Sequence, residues 1–299
     1  MSMPRKEAAP EFTLSFLQPD RIHQSMAIVQ GYVRSRAGSE GPTPGFWEAI
    51  RELQHKDLPA KRRDTIPEVI WFEGGHDVFA PALSMLTGGI DMAVGTTSYG
   101  TSERPGLEMA ARRTLHRFAN QFPKTYDTFR EIITFLVLAR KRKYSGGTVS
   151  SRIGLIWLAP EISWNEDTWL ENIVHEYVHN CLFLEDMVTN IFVAGCDRLE
   201  REDALAFSAI RQIKRGYDKS YHSAFVSFSL IELYLTLRKD KDAASFINPL
   251  ILCLQDLIKA RRFATAHGLE LLAELAERVL PLFRMFAERR GQEITWRPT

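Results

Sequence analysis

The chain has 299 residues, of which 45% are hydrophobic, 25% charged and 11% aromatic. That balance excludes a disordered, collagenous or low-complexity protein and leaves ample material for a core. The 38 Lys and Arg against 37 Asp and Glu give a formal charge of +1, too little for a domain built to grip a polyanion, so nucleic acid is not expected as a partner.

Three cysteines, Cys181, Cys196 and Cys253, stand at wide spacing. They argue against a disulfide framework or a Cys-rich zinc site and fit a reducing compartment. A membrane span needs about 20 apolar residues, and the most apolar run, IITFLVLA at 132–139, is far shorter and flanked by charge. The first residues hold no apolar signal segment. The expected location is the cytoplasm, with no membrane partner; the sequence leaves the oligomeric state open.

In chain order, residues 1–15 read as a flexible tail and 16–299 as a single, mostly helical, metal-dependent domain. Residues 18–35 carry apolar side chains at helical spacing. Residues 36–45, rich in Gly and Pro, read as a loop, and 46–55 as a second helix. Residues 66–72 fit either a strand or part of a helix. The glycine-rich stretch 88–104 reads as a long loop without phosphate-binding spacing. Residues 107–122 and 125–140 read as amphipathic helices, and RKRK at 140–143 as a solvated helix end, where cations complement the dipole. The run IGLIWL at 153–158 reads as a buried strand. From Ser163 onward helices dominate. The expected fold class is therefore α+β, predominantly helical, with a small sheet packed near the helix described next.

Residues 175–179 are His175-Glu176-Tyr177-Val178-His179, an H-E-x-x-H motif. On a helix, two His four apart lie on one face and can converge on a metal ion, with Glu176 in reach of a metal-bound water or a ligand. Ser163-Trp164-Asn165-Glu166 has the pattern of a capping box that would start that helix. Two histidines do not complete a site. The chain has Leu182 and Glu185 where a metzincin would have Gly and His. Two third-ligand candidates follow. Glu200, with Glu202, falls where a thermolysin-like enzyme would place a carboxylate, within a charge run at 197–203 that also reads as solvated surface. His222 opens the apolar stretch 223–237. Upstream of His222, Arg211 and Arg215 stand four apart, hence on one face if helical. Paired guanidiniums near a metal suit a dicarboxylate.

These residues resemble a bacterial family of H-E-x-x-H proteins found near ribosomally made, post-translationally modified peptides, described as 2-oxoglutarate-dependent peptide β-hydroxylases. The resemblance runs from about 124 to 237. It rests on TVSSRIGLIWLAP, on IVHEYVHNCLFL and on AIRQIKRGYDKSYHSAF, in which the spacing of Arg211, Arg215 and His222 agrees with the family pattern. Ile210, Gly216 and Tyr221 depart from the commoner Trp, Pro and Leu. The resemblance implies Fe(II) held by His175, His179 and His222, and 2-oxoglutarate bound through Arg211 or Arg215. It implies Glu176 as a metal ligand or as a group orienting one, and a precursor peptide hydroxylated at a β-carbon. The alternative is a zinc metallopeptidase with Glu176 as general base and Glu200 as third ligand.

Overall fold

The computed structural model describes residues 11–38, 42–54, 56, 58, 67–73, 79, 96–141 and 144–289. The chain divides into two compact units, one of Met1–Thr13 with Leu17–Asn180, the other of Leu14–Phe16 with Cys181–Thr299.

In the first unit, helices α1 (Pro19–Ala37) and α2 (Phe46–Gln54) lead to strand β1 (Glu68–Trp71). The short strand β2 (Thr96–Thr97) precedes α3 (Arg104–Gln121) and α4 (Pro123–Ile132), and β3 (Phe135–Leu138) follows directly. Strands β4 (Arg140–Lys141), β5 (Gly146–Gly147) and β6 (Leu155–Leu158) lead into the long helix α5 (Glu166–Thr189), which the unit boundary cuts after Asn180. The main sheet has the order β1-β3-β6-β5. β1, β3 and β6 are parallel, and β5 lies antiparallel at the edge, with Gly146 opposite Leu158 and Gly147 opposite Trp157. β2 and β4 form a separate antiparallel ribbon.

Several elements differ from the sequence reading. The expected helix over 125–140 is α4 followed by β3. Phe135-Leu136-Val137-Leu138 is a continuous apolar run buried at every position, as a central parallel strand requires. Of RKRK, Arg140 and Lys141 are β4 rather than a helix end, and residues 142–143 lie outside the described residues. Residues 68–71 are a strand, and 153–158 holds β6 as expected. Of the glycine-rich stretch, residues 88–95 lie outside the described residues; 96–97 is β2 and the helix begins at Arg104.

Within the expected tail, residues 1–10 lie outside the described residues, but the chain is anchored from Glu11 on. The Glu11 carboxylate accepts the backbone N–H of Lys124 and Thr125 at the start of α4, at 3.0 and 3.1 Å. Phe12 is buried and stacks on Phe122, with ring centres 5.0 Å apart.

The second unit is the remainder of α5, the short helix α6 (Cys196–Leu199), a hairpin of β7 (Ala206–Phe207) and β8 (Lys214–Arg215), and three long helices. These are α7 (Tyr217–Thr236), α8 (Asp240–Lys259) and α9 (Ala266–Arg289). The Tyr221 hydroxyl donates to the Gly268 carbonyl at 2.8 Å. A Cβ on Gly268 would lie 2.4 Å from the Ile191 carbonyl, a close approach that only glycine permits. Leu14 is buried, and Phe16 meets Phe225 edge-on. Both units fit a predominantly helical α+β class. Among the described residues no helix is long and apolar enough to cross a membrane.

Candidate functional site

Helix α5 carries the motif, and its start is set by Asn165 rather than Ser163. Asn165 Oδ1 accepts the Thr168 N–H at 2.9 Å, a side-chain cap, while the Ser163 hydroxyl turns to Glu161. One face of the helix is sealed. Ile173, Val174, Tyr177 and Val178 are fully buried, Tyr177 meeting the Phe129 ring edge-on and sharing a 2.6 Å hydrogen bond with the Thr128 hydroxyl. His175 and His179 occupy the half-open edge.

Their rings stand one turn apart, with centres separated by 5.1 Å and planes inclined by 51°. The Glu176 carboxylate is buried, 3.9 Å from His175 Nε2. The motif therefore places two imidazoles side by side with a carboxylate next to the first. The edge strand comes up to this carboxylate. A Cβ built on Gly146 would lie 3.6 Å from Glu176 Oε1 and would strike Leu158 at 2.7 Å and the Trp157 carbonyl at 2.8 Å, so only glycine fits.

Asn180, one residue past the motif and fully buried, fixes this arrangement. Its Oδ1 accepts the Gly154 N–H at 2.9 Å, and its Nδ2 donates to the Glu176 carbonyl at 2.9 Å and to Thr148 Oγ1 at 3.1 Å. Gly154 has φ of 90°, a conformation favouring glycine. Sequence reasoning missed Asn180; a carboxamide one turn after Glu176, set among the apolar residues Tyr177, Val178, Cys181 and Leu182, was the available signal.

The remaining candidates belong to the second unit. His222 lies inside α7, not at its start, and is 4% exposed. Its ring is 4.7 Å from that of Phe183 and 6.2 Å from that of Phe192. Burial pushes its pKa down to about 3, so the imidazole is neutral, the form that ligates metals.

Arg211 and Arg215 are not on a helix. Arg211 sits in the turn of the β7–β8 hairpin and Arg215 on β8, and the chain reverses through Gln212 at φ 54°. The hairpin still brings the two charges within each other's field. The Arg215 pKa is lowered by burial first and by the Arg211 charge second, with Asp218 offsetting part of this. Among the described residues neither guanidinium makes an ion pair or donates a hydrogen bond.

Glu200 ends the short helix α6, is half exposed and is ion-paired with Lys219. The surrounding charge run is solvated as expected, with Arg198 and Arg262 both on Asp203.

The paired imidazoles and the buried carboxylate match the nitrogen and oxygen donors that iron(II) and zinc accept. Among the described residues no group of three His, Cys, Asp or Glu side chains lies at metal-holding separation. The three cysteines are free, with Cys181 and Cys253 buried and Cys196 exposed. No protein-family model matches the chain, and no curated protein matches it.

Proposed function

We propose that the chain is an iron(II)- and 2-oxoglutarate-dependent oxygenase that hydroxylates a β-carbon in a ribosomally made peptide, acting in the cytoplasm. The observation that carries this reading is the arginine pair. Two guanidiniums within each other's field, one of them half-buried and neither hydrogen-bonded nor ion-paired among the described residues, suit an anion that neutralises both. A dicarboxylate cosubstrate has such an anion at its distal end.

His175 and His179 would hold the metal, and the family resemblance implies His222 as the third ligand. Bound iron, with 2-oxoglutarate and dioxygen, supplies the two-electron oxidation that turns C–H into C–OH, the cosubstrate leaving as succinate and carbon dioxide. Glu176, buried beside His175, orients a ligand or joins the ligand set. Asn180 holds the turn that carries Glu176 and His179. Arg211 or Arg215 binds the distal carboxylate.

The zinc-peptidase alternative needs Glu200 on the metal. That carboxylate is instead half exposed and engaged by Lys219, which weighs against it. Metal content of two variants separates the readings. His222→Ala is expected to lose stoichiometric metal while Glu200→Ala keeps it; the reverse pattern would favour the peptidase.

A further inference from the structure

Lys141 lies on β4, directly opposite Thr96 of β2, while Arg140 lies opposite Thr97. Opposed residues of an antiparallel ribbon put their side chains on the same face, and successive residues alternate faces. The two faces are provided for differently. Arg140 is ion-paired with Glu103, and its guanidinium lies 5.0 Å from the centre of the Tyr99 ring. Lys141 is 8% exposed, and its Nζ is buried with no hydrogen-bond partner. The Tyr144 ring centre lies 5.7 Å from its charge. Thr96 Oγ1, across the ribbon, is likewise buried and without a partner. Among the described residues no carboxylate acts on the amine; burial alone lowers its pKa. An ammonium in that condition is costly, and native structures keep one where something else completes it.

We propose that Lys141 Nζ and Thr96 Oγ1 form a carboxylate-binding site. The ammonium donates hydrogen bonds but cannot accept, and the hydroxyl can donate one, so the pair suits an acceptor-only group. One buried positive charge matches one carboxylate rather than a phosphate dianion. β4 begins two residues after the C-terminal end of β3, the end of a parallel sheet where ligands gather. Gly146, five residues after Lys141, stands beside Glu176. Thr96 and Lys141 belong to the same unit as His175 and His179. The site does not rest on the metal reading, and the Arg211 and Arg215 assignment does not use it. Two sources share this chemistry: a free dicarboxylate such as 2-oxoglutarate, and an acidic residue of a peptide.

Calorimetric titration of the metal-free protein tests the site, with 2-oxoglutarate in one arm and N-acetyl-aspartate N-methylamide in the other. The wild type is expected to bind at least one of them, and the arm whose binding the Lys141 and Thr96 variants weaken names the source. Lys141→Met is expected to weaken that binding at least about tenfold, the size of a lost charged hydrogen bond, and Thr96→Val to weaken it less. Lys141→Met is expected to melt no lower than wild type, because it removes an uncompensated buried charge. Should Lys141→Met fail to fold, Thr96→Val carries the test. Failure of the wild type to bind either carboxylate, or unchanged binding in the folded variants, would overturn the proposal.

Discussion

Asn180 Nδ2 donates to Thr148 Oγ1 across 3.1 Å, tying the motif helix to the residue that follows the edge strand. The same carboxamide holds the Gly154 N–H and the Glu176 carbonyl. One side chain thus sets the strand, the turn before β6 and the motif in a common frame. Asn180→Ala leaves a buried N–H and a buried carbonyl without these partners. Its expected cost is about 1–3 kcal/mol of stability, read from the midpoint of a urea unfolding curve at unchanged slope. A midpoint equal to wild type would show that the frame does not depend on Asn180.

Tyr177 separates stability from metal binding. Its hydroxyl meets Thr128 at 2.6 Å on the sealed face of the helix, and the two flanking histidines are half-buried. Tyr177→Phe is expected to cost about 0.5–1.5 kcal/mol and to leave metal stoichiometry unchanged. Loss of metal in a folded Tyr177→Phe protein would mean that the two faces are coupled.

The acid limb of stability has an identifiable contributor. Arg198 and Arg262 hold the Asp203 pKa down to about 2. The folded value lies below the ordinary Asp value of about 3.9, so the ion pairs stabilise the fold above that pH and are lost as pH falls through about 2. Both arginines and the carboxylate are exposed, so the effect is small and weakened by salt. Melting temperatures of Asp203→Asn and wild type are expected to converge as pH drops from about 4 to about 2, and to differ less in high salt. A gap that persists at the lowest pH would assign the Asp203 contribution to something other than its charge.

What the sequence disclosed follows physical lines. The motif helix and β6 were legible, because their patterns are local: two His at one-turn spacing, and an apolar run between turn signals. The strand Phe135–Leu138 was not. A strand buried on both faces has no alternation, and periodicity alone cannot distinguish it from a buried helix. Arg211 and Arg215 were legible as a pair but not as a hairpin, since the reversal depends on Gln212 adopting positive φ. Asn165 and Ser163 are both good cap residues, and spacing could not choose between them. Lys141 and Thr96 were invisible, because 44 residues separate the two partners that the ribbon sets opposite each other.

The arginine pair yields a quantitative expectation. A charged hydrogen bond to a carboxylate is worth about 1.5–3 kcal/mol, which corresponds to roughly 10- to 100-fold in affinity. Arg211→Met or Arg215→Met, whichever removes the distal contact, is expected to raise the 2-oxoglutarate requirement by that factor. Unchanged cosubstrate affinity in both single variants would remove the main support for an oxygenase.

The proposed function requires this chain to bind iron and 2-oxoglutarate together. Anaerobic titration of the iron(II)-loaded protein with 2-oxoglutarate, followed in the visible, tests it most directly. A charge-transfer band is expected that saturates at one equivalent per iron in the wild type, is lost with the metal in His175→Ala, and needs more 2-oxoglutarate in the responsive arginine variant. No band in a stoichiometrically iron-loaded wild-type protein would contradict the proposed function.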